Sequence, residues 1–386
     1  MPNETRATRY HRARLQAGAG AFLAALGVLA LCSPLALGPW LARVVGAVTG
    51  GGWLATAAFA ATVLALAHAA RYPFDRYRDW TLEGRYGLTR VPSARWTRGH
   101  LRSAVASIAL GTAAAGVVRA SWLWAGAAWW VAAAVVCFLA HVAWTVSAPL
   151  LLTAFGGLRA IRRPDLSARL AALVTRSGTG VAVREWRGAG DTTQAHAALA
   201  GLGRTRQIIL SDTLIDTLRD DEIEVVVAHE LGHHVHGDVW RAAAWTACVL
   251  PLTFGAAACV IARLGAGVGF WPQVPSPGPA GVAPDLPWLA AFAAAALAVH
   301  RLLAPIGLAL SRGRELRADA YAIRLTGGAD AFVASMRRLS QTNLVDDRPP
   351  RLARVLSSHP PVRDRVLAAL RQAEGAATRR SAGRPG

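Results

Sequence analysis

Long apolar runs are the feature of this sequence that most limits its fold. A chain with 53% hydrophobic and 17% charged residues carries more apolar side chains than a soluble domain of its size needs. Several runs approach or exceed the ~20 residues that an α-helix needs to cross a bilayer, and the first is too long for a signal peptide. The predicted membrane helices are residues 17–38, 53–70, 103–118, 122–153, 239–263 and 288–310. The sequence therefore predicts a mainly α-helical polytopic membrane protein with about six transmembrane helices.

Arginine supplies every basic charge of the chain, whose formal net charge is +19. Four arginines lie in the N-terminal residues 1–16 and eight in the loop 71–102, whereas the loops 39–52, 119–121 and 263–287 hold one each. Because arginine-rich loops stay in the cytoplasm, six spans place every arginine-rich segment on the cytoplasmic side. We therefore expect a multi-pass protein of the cell membrane. Its positive charge is explained by its position at the lipid bilayer, and we expect no binding of nucleic acid.

Two segments are polar enough to lie outside the bilayer, residues 156–238 and 311–372. The first begins with a short amphipathic helix at about 164–175 and ends in a helical region from Asp212. Between them lie three strand-like pieces separated by turns at 188–191 and 203–205; the pieces are 181–186, 195–202 and 207–210. The second segment is predicted to be helical, with residues 373–386 as a disordered tail. By the arginine count, both segments are cytoplasmic and are expected to form one domain with a small β-sheet.

The helical region of the first segment contains the pattern His229-Glu230-x-x-His233. Positions i and i+4 of a helix lie on one face, so both imidazoles can reach a single tetrahedral ion, for which Zn²⁺ is the expected metal. Glu230 lies one residue further round and can face a water molecule beside the ion. This pattern is typical of metal-dependent hydrolases, in which the carboxylate takes a proton from that water.

A zinc site with two histidines needs a third protein ligand, and Glu315 is the candidate. It lies in a helical segment that emerges from the sixth span, and Asp319 lies one turn further on the same face. Asp319 is placed to accept a hydrogen bond from the second ring nitrogen of a histidine ligand. The alternative is an ordinary solvated helix face, in which the two carboxylates pair with Arg312 or Arg317.

Four separated motifs follow one another along the chain. They are Tyr72-Pro73-Phe74-Asp75-x-Tyr77 with Leu82-Glu83-Gly84-Arg85-Tyr86-Gly87-Leu88, the stretch Gly201–Leu214 before the His229 motif, Glu315-x-x-x-Asp319, and Ser358-His359-Pro360-Pro361 with Arg365. In this order they resemble motifs of the membrane zinc metallopeptidases that include the CAAX prenyl protease Ste24 and the bacterial protease HtpX, and the first resembles the Ste24 branch in particular. The resemblance implies a zincin-like metalloprotease domain on a membrane-helix scaffold, with one Zn²⁺ per chain.

The resemblance also implies roles that spacing alone does not give. His359 and Arg365 would lie near the metal and stabilise the oxyanion that forms during hydrolysis; the plainer interpretation of His359 is a turn residue before two prolines. Residues 195–202 would be the edge strand that binds substrate as an added strand. Here the chain departs from the family, because His196-Ala197-Ala198 stands where asparagine is usual in the first position. That change affects the expected substrate specificity and not the chemistry.

Four further polar residues lie close to these motifs. His234 and His236 lie off the shared face of the two candidate ligands, and we interpret them as ordinary polar helix residues. His300 and Arg301 fall within the sixth span, where ionisable groups are often functional. The alternative is that they face a water-filled cavity or a partner helix.

Three functions are consistent with these features. The first is an integral membrane zinc endopeptidase that acts on peptides or membrane proteins, either surplus membrane proteins or lipidated or C-terminal peptides. The second is a catalytically inactive zinc-binding scaffold or regulatory protein, which would not need the carboxylate of Glu230. The third, a transporter or channel with an accidental motif, is disfavoured because the polar chemistry lies in the soluble segments and not at the middle of the bilayer.

Overall fold

The computed structural model describes residues 5–186, 192–267 and 285–382, and the side chains up to residue 375. In this part of the chain, four strands occur: β1 (Leu158–Arg159), β2 (Ala182–Trp186), β3 (Ala197–Ala200) and β4 (Gln207–Ser211). The α-helices found there are α1 (Arg6–Leu31), α2 (Gly38–Thr49), α3 (Gly52–Arg76), α4 (Leu82–Tyr86), α5 (Ser93–Trp124), α6 (Trp129–Ala154), α7 (Pro164–Ser177), α8 (Asp212–Thr217), α9 (Asp220–Val235), α10 (Asp238–Gly267), α11 (Leu286–Thr326), α12 (Asp330–Thr342), α13 (Arg351–Val355) and α14 (Val362–Ala382).

Six helices in the described ranges are long and apolar enough to cross a membrane, as the sequence predicted. They are α1, α3 with its continuation to Tyr86, α5, α6 with the short turn before it, α10 and α11. Large apolar side chains such as Leu110 and Leu302 point outward and are 67% and 79% exposed. In a bilayer these side chains meet lipid, while Phe59, Trp122 and Trp129 pack between the helices.

The segment 71–102, predicted as a cytoplasmic loop between two spans, is largely helical. Helix α3 continues to Arg76, a π-helical turn (Tyr77–Thr81) and α4 carry the helix to Tyr86, and α5 begins at Ser93. Ion pairs one turn apart, such as Arg71 with Asp75 at 2.7 Å, support this polar helix. Hydropathy detects apolar runs, so it did not indicate that the helix continues into this polar segment.

The C-terminal residues also differ from expectation. Helix α14 extends to Ala382, where a disordered tail from residue 373 was predicted. Alanine and arginine are good helix formers, and they outnumber the single glycine of this stretch. Residues 383–386, the predicted turn at 188–191 and most of the predicted loop at 263–287 lie outside the described residues.

The strands form one mixed sheet in the order β1-β2-β4-β3. The two central strands, β2 and β4, run parallel, while β1 and β3 pair antiparallel to them. Strand β1 is only two residues long, too short to leave a pattern in the sequence, and β3 is shorter than the predicted 195–202. Strand β3 lies at one edge, so one side of its backbone is open to a further strand.

Helix α9 packs between this sheet and helix α11. Its apolar side chains Ile223, Val227 and Leu231 are fully buried against the sheet and α7. On the α11 side, a Cβ atom at Gly232 would lie 3.0 Å from Ala318 Cα. The two helices therefore approach closely beside the predicted metal motif, because Gly232 has no side chain.

Candidate metal centre

Local sequence fixes where α9 begins and which face it turns to α11. The Glu222 carboxylate accepts a hydrogen bond from the Arg219 N–H at 2.9 Å and so caps the first turn. Asp220 and Asp221 precede it at the positive end of the helix dipole. With the apolar face buried against the sheet, His229 and His233 face α11.

The side chains of His229, His233 and Glu315 converge on one point. The two Nε2 atoms are 3.1 Å apart. Glu315 Oε2 lies 3.4 Å from His229 Nε2, and Glu315 Oε1 lies 3.5 Å from His233 Nε2. One donor atom from each residue lies within 4.8 Å of the others, the only such group found in the described part of the chain.

Each histidine has a carboxylate on its other ring nitrogen. His229 Nδ1 lies 2.9 Å from Asp319 Oδ1, as expected for Asp319. His233 Nδ1 lies 2.9 Å from Asp238 Oδ2. Asp238 was missed by the sequence reasoning, although an acidic residue that begins the helix directly after the motif was an available signal.

These contacts orient the histidines for metal binding. A ring whose Nδ1–H donates to a carboxylate presents an unprotonated Nε2, so both Nε2 lone pairs point into the same space. Glu315 Oε2 is buried there and has no hydrogen-bond partner. Two lone pairs and a carboxylate that face each other need a cation between them, and this donor set fits tetrahedral Zn²⁺ with one open position.

Without a metal, a proton takes the place of that cation. Burial by itself lowers the pKa of His229, but the Asp319 carboxylate at Nδ1 and the Glu315 carboxylate facing Nε2 outweigh it and raise the pKa to about 9. Burial also lowers the pKa of His233, whereas the contact with Glu315 raises it. The net result is again a raised pKa. Protons and metal ions therefore compete for this site.

Arg365 holds the Asp319 side of the centre. Its Nε donates to Asp319 Oδ2 at 2.8 Å, and its NH1 lies 3.7 Å from Glu315 Oε2. Arg365 as a whole residue is only 8% exposed. In this structure the Arg365 guanidinium is therefore bound to Asp319, the carboxylate beside His229, and does not project into open space.

His359 lies on the exposed side of the centre, whereas Glu230 is buried beside the sheet. His359 Nε2 is 3.5 Å from Glu315 Oε1, and its side chain is 60% exposed. Glu230 is 8% exposed, and its Oε2 accepts a hydrogen bond from the Leu199 N–H of β3 at 2.9 Å. That bond was not predicted, and it brings the carboxylate to the edge strand of the sheet.

The remaining candidates stay apart from this cluster. His236 Nδ1 lies 2.7 Å from the Gly232 carbonyl, and the His196 N–H donates to Ser211 Oγ at 3.0 Å. His234 Nδ1 is buried without a partner. Near the middle of α11, the Arg301 guanidinium lies 5.4 Å from the centre of the Phe22 ring, and His300 is exposed.

Two family models match the chain. One, described as Peptidase family M48, matches residues 161–374, more than half of the chain. The other, described as CAAX prenyl protease N-terminal, five membrane helices, matches residues 3–153. Where the structure describes that N-terminal range, it holds four helices of membrane-spanning length and the shorter α2.

Curated relatives with sequence similarity fall into two groups. The "Uncharacterized metalloprotease YhfN" of Bacillus subtilis is 29% identical over 45% of this chain and 40% of its own length. "Protease HtpX" of Chromohalobacter salexigens is 28% identical over 45% of this chain and 61% of its own length. The chain thus spans about half the length of these relatives. The "CAAX prenyl protease 1 homolog" of Arabidopsis thaliana is 25% identical over 86% of this chain and 78% of its own length.

Solved structures with a similar fold include the crystal structure of S. mikatae Ste24p. It superposes with a TM-score of 0.69, covering 85% of this chain and 80% of that chain. At 18% sequence identity this likeness concerns the fold. It extends over both the membrane helices and the domain that carries the candidate metal centre.

Proposed function

The chain belongs to peptidase family M48, and from that premise we propose that it is an integral membrane zinc metalloendopeptidase. Its membrane helices and its metallopeptidase fold are those of the Ste24 and HtpX relatives, and the extent of the matches favours the Ste24 branch. The observation that supports the mechanism best is the convergence of His229, His233 and Glu315 beside Glu230.

His229, His233 and Glu315 would hold one Zn²⁺ in this mechanism. When bound, zinc supplies Lewis acidity, which lowers the pKa of a water molecule at the site and polarises the scissile carbonyl. Glu230 would accept the proton of that water and then pass it to the leaving amine. Asp319 and Asp238 keep the two histidine rings in the tautomer and orientation that ligation needs.

Two residues on the α13–α14 side are proposed to act on the charge that develops at the carbonyl oxygen. His359 lies on the exposed side of Glu315 and has a ring N–H to offer as a donor. Arg365 is held by Asp319, so its contribution is a fixed positive charge beside the centre. The roles proposed for these residues are those that the resemblance implied.

The edge of β3 offers the substrate a place to bind. A peptide in extended form would add a strand to the sheet next to Glu230. The chemistry fits a peptide or the polypeptide of a membrane protein, with the bilayer as the second partner. The arginine-rich segment 71–102 contacts the protease domain. Within this segment, the Leu88 C=O accepts a hydrogen bond from the Thr193 N–H at 3.2 Å. This contact supports an active site on the cytoplasmic side of a cell membrane.

Replacement of Glu230 tests the proposal. Glu230→Gln keeps the size of the side chain and removes the base, so the purified variant should retain zinc and lose peptide hydrolysis by about a thousandfold or more. Glu224→Gln is the matched control, because the same change on the same helix lies beside Arg169, away from the centre. Hydrolysis by the wild-type protein should also stop when a chelator removes the metal.

The second candidate function is a zinc-binding scaffold without activity. The position of Glu230 disfavours it, because a structural zinc site has no use for a carboxylate held beside an open strand edge. Full activity of Glu230→Gln would contradict the mechanism, and a zinc-loaded wild-type protein that cleaves no peptide would favour the scaffold.

A further inference from the structure

The outward side of β3 consists of alternate residues. Strand β3 pairs antiparallel with β4, and Ser211 N–H donates to the His196 C=O at 2.9 Å. In an antiparallel pair, the residues between such hydrogen-bonded positions direct their own N–H and C=O groups away from the partner strand. The backbone groups of Ala195, Ala197 and Leu199 therefore face the open edge.

Side chains already occupy both ends of this edge. At one end, Leu199 N–H donates to Glu230 at 2.9 Å. At the other end, Ala195 N–H donates to Asn343 Oδ1 at 2.8 Å, and Asn343 Nδ2 donates to the Ala195 C=O at 2.9 Å. A side-chain amide offers the same donor and acceptor as a peptide group. Asn343 therefore makes the two hydrogen bonds that a residue of an added strand would make.

The turn that presents Asn343 is strained and is tied to the membrane helices. Leu344 has φ of 52°, the one positive value among the non-glycine residues that the structure describes. This left-handed conformation is unfavourable for a leucine, because it brings Cβ too close to the following carbonyl oxygen. The Leu344 carbonyl lies 3.0 Å from His11 Nε2 of α1. Strain that the surroundings maintain is a pointer to function, and here it puts an amide at the end of the edge.

We propose that Asn343 is a specificity residue that ends the substrate-binding edge and so limits how many substrate residues can pair on one side of the cleaved bond. The inference rests on the function proposed above. At about 3.3 Å per strand residue, Leu199 and Ala195 are separated by roughly 13 Å. A substrate strand that starts beside Glu230 therefore has room for roughly three residues before it meets Asn343.

A purely structural role for Asn343 makes a different prediction. The segment before β3 is also held by Thr193 Oγ1, which donates to the Gly87 C=O at 3.0 Å, and by Gln194 Nε2, which donates to Glu83 Oε2 at 3.2 Å. If Asn343 were one more tie of this kind, its loss would lower activity toward long and short peptides alike. If Asn343 instead occupies the substrate-binding edge, the loss of its side chain is predicted to increase activity toward longer peptides.

A peptide series tests the inference on the full chain in detergent or vesicles. Peptides with one cleavable bond are lengthened by one residue at a time on either side, and kcat/KM is measured for each. For the wild-type protein, the gain with length should stop after roughly three residues on one side only. In Asn343→Ala, it should continue for about two more residues on that side, by about two- to tenfold per hydrogen bond gained, mainly through KM.

Two further variants and two physical measurements support the interpretation. Asn343→Asp still accepts from Ala195 N–H but cannot donate to its C=O, so it should release the edge in part. Gln341→Ala, an exposed amide two residues away, should keep the wild-type profile. Zinc content and thermal unfolding show which variants are folded.

An unchanged length profile in a folded Asn343 variant would overturn the inference while leaving the proposed function intact. So would a wild-type profile that gains beyond four residues on both sides, and this result needs no variant. If neither Asn343 variant folds, the wild-type profile decides. If a zinc-loaded wild-type protein cleaves none of the peptides, the proposed function fails and the inference fails with it.

Discussion

The two sides of the metal centre have the same chemistry in different surroundings. The Nδ1 atoms of His229 and His233 each lie 2.9 Å from a carboxylate oxygen. Asp319, beside His229, is held by the buried Arg365. Asp238, beside His233, is held by Arg241 and Arg317, whose side chains are 56% and 46% exposed.

The difference shows what burial adds to such a contact. Asp238 is itself buried, but its two arginines are about half exposed, so the second arginine and water can replace one that is lost, and each ion pair there is worth little. On the buried side, removal of one partner leaves a charge without water or counter-charge, which is costly. We therefore expect large losses of zinc affinity and stability from changes on the His229 side, and small losses from changes on the His233 side.

Replacement of Asp319 should have the largest effect. Asp319→Ala frees the His229 ring and leaves the Arg365 guanidinium without its main partner. We expect a loss of zinc affinity of about 10- to 100-fold and a loss of stability of about 3–5 kcal/mol. Competition titration with a zinc chelator and thermal unfolding measure the two effects.

The double variant Asp319→Ala with Arg365→Met separates the two effects. It removes the unpaired charge, so much of the stability should return while zinc affinity stays low. If Asp319→Ala alone were as stable as the wild-type protein, this result would contradict the proposed difference between the two sides of the centre.

The pH dependence of zinc binding should be the next largest effect. The pKa of His229 is raised from 6.5 to about 9, so the contacts of the protonated ring stabilise the metal-free chain fully below pH 6.5, and this contribution is lost as the pH rises through about 9. Zinc needs the neutral ring. Its apparent affinity should therefore rise between these values, by up to about tenfold per pH unit for one displaced proton.

Asp319→Asn sharpens this test. The neutral amide removes a contact that raises the pKa of His229, so the pH dependence of zinc affinity should become weaker between pH 6.5 and about 9. The same slope in the wild-type protein and in Asp319→Asn would assign the displaced proton to another group.

Replacement of Asp238 should have a smaller effect than that of Asp319. Asp238→Ala frees the His233 ring, and we expect about tenfold weaker zinc binding. Stability should change by less than about 1 kcal/mol, because Arg241 and Arg317 can turn to water. Chelator competition beside Asp319→Ala gives the comparison directly. A loss of stability as large as that of Asp319→Ala would remove the distinction.

Replacement of Arg317 should have the smallest effect. Arg317 NH2 lies 3.1 Å from Asp238 Oδ1, and the Arg317 side chain is 46% exposed. Arg317→Ala should change zinc affinity by no more than about twofold and stability by less than about 0.5 kcal/mol. Arg365→Ala, measured in the same way, should change zinc affinity by more than about twofold and stability by more than about 0.5 kcal/mol.

The sequence was informative where a pattern is local. Apolar runs indicated six membrane helices, and helical spacing brought together His229 with His233 and Glu315 with Asp319. These predictions needed only the period of the helix and a ligand count. The close approach of α9 to α11 at Gly232 then unites the two pairs, and nothing in the local sequence predicts that contact.

The features that were missed depend on contacts between distant segments. Asn343 reaches Ala195 across 148 positions of the chain. The bond from Leu199 to Glu230 joins a strand to a helix 31 positions away. The helices in residues 71–102 were missed for a different reason, because the ion pairs that support them, such as Arg71 with Asp75, are local and leave no long apolar run in the sequence.

The zinc content of the purified full-length protein, measured side by side with that of Glu315→Gln, tests the central claim most directly. The account predicts one zinc ion per wild-type chain and a large loss of zinc in the variant, because two histidines alone leave the site a ligand short. A wild-type protein that takes up no zinc, or a Glu315→Gln variant that holds zinc with wild-type affinity, would contradict it.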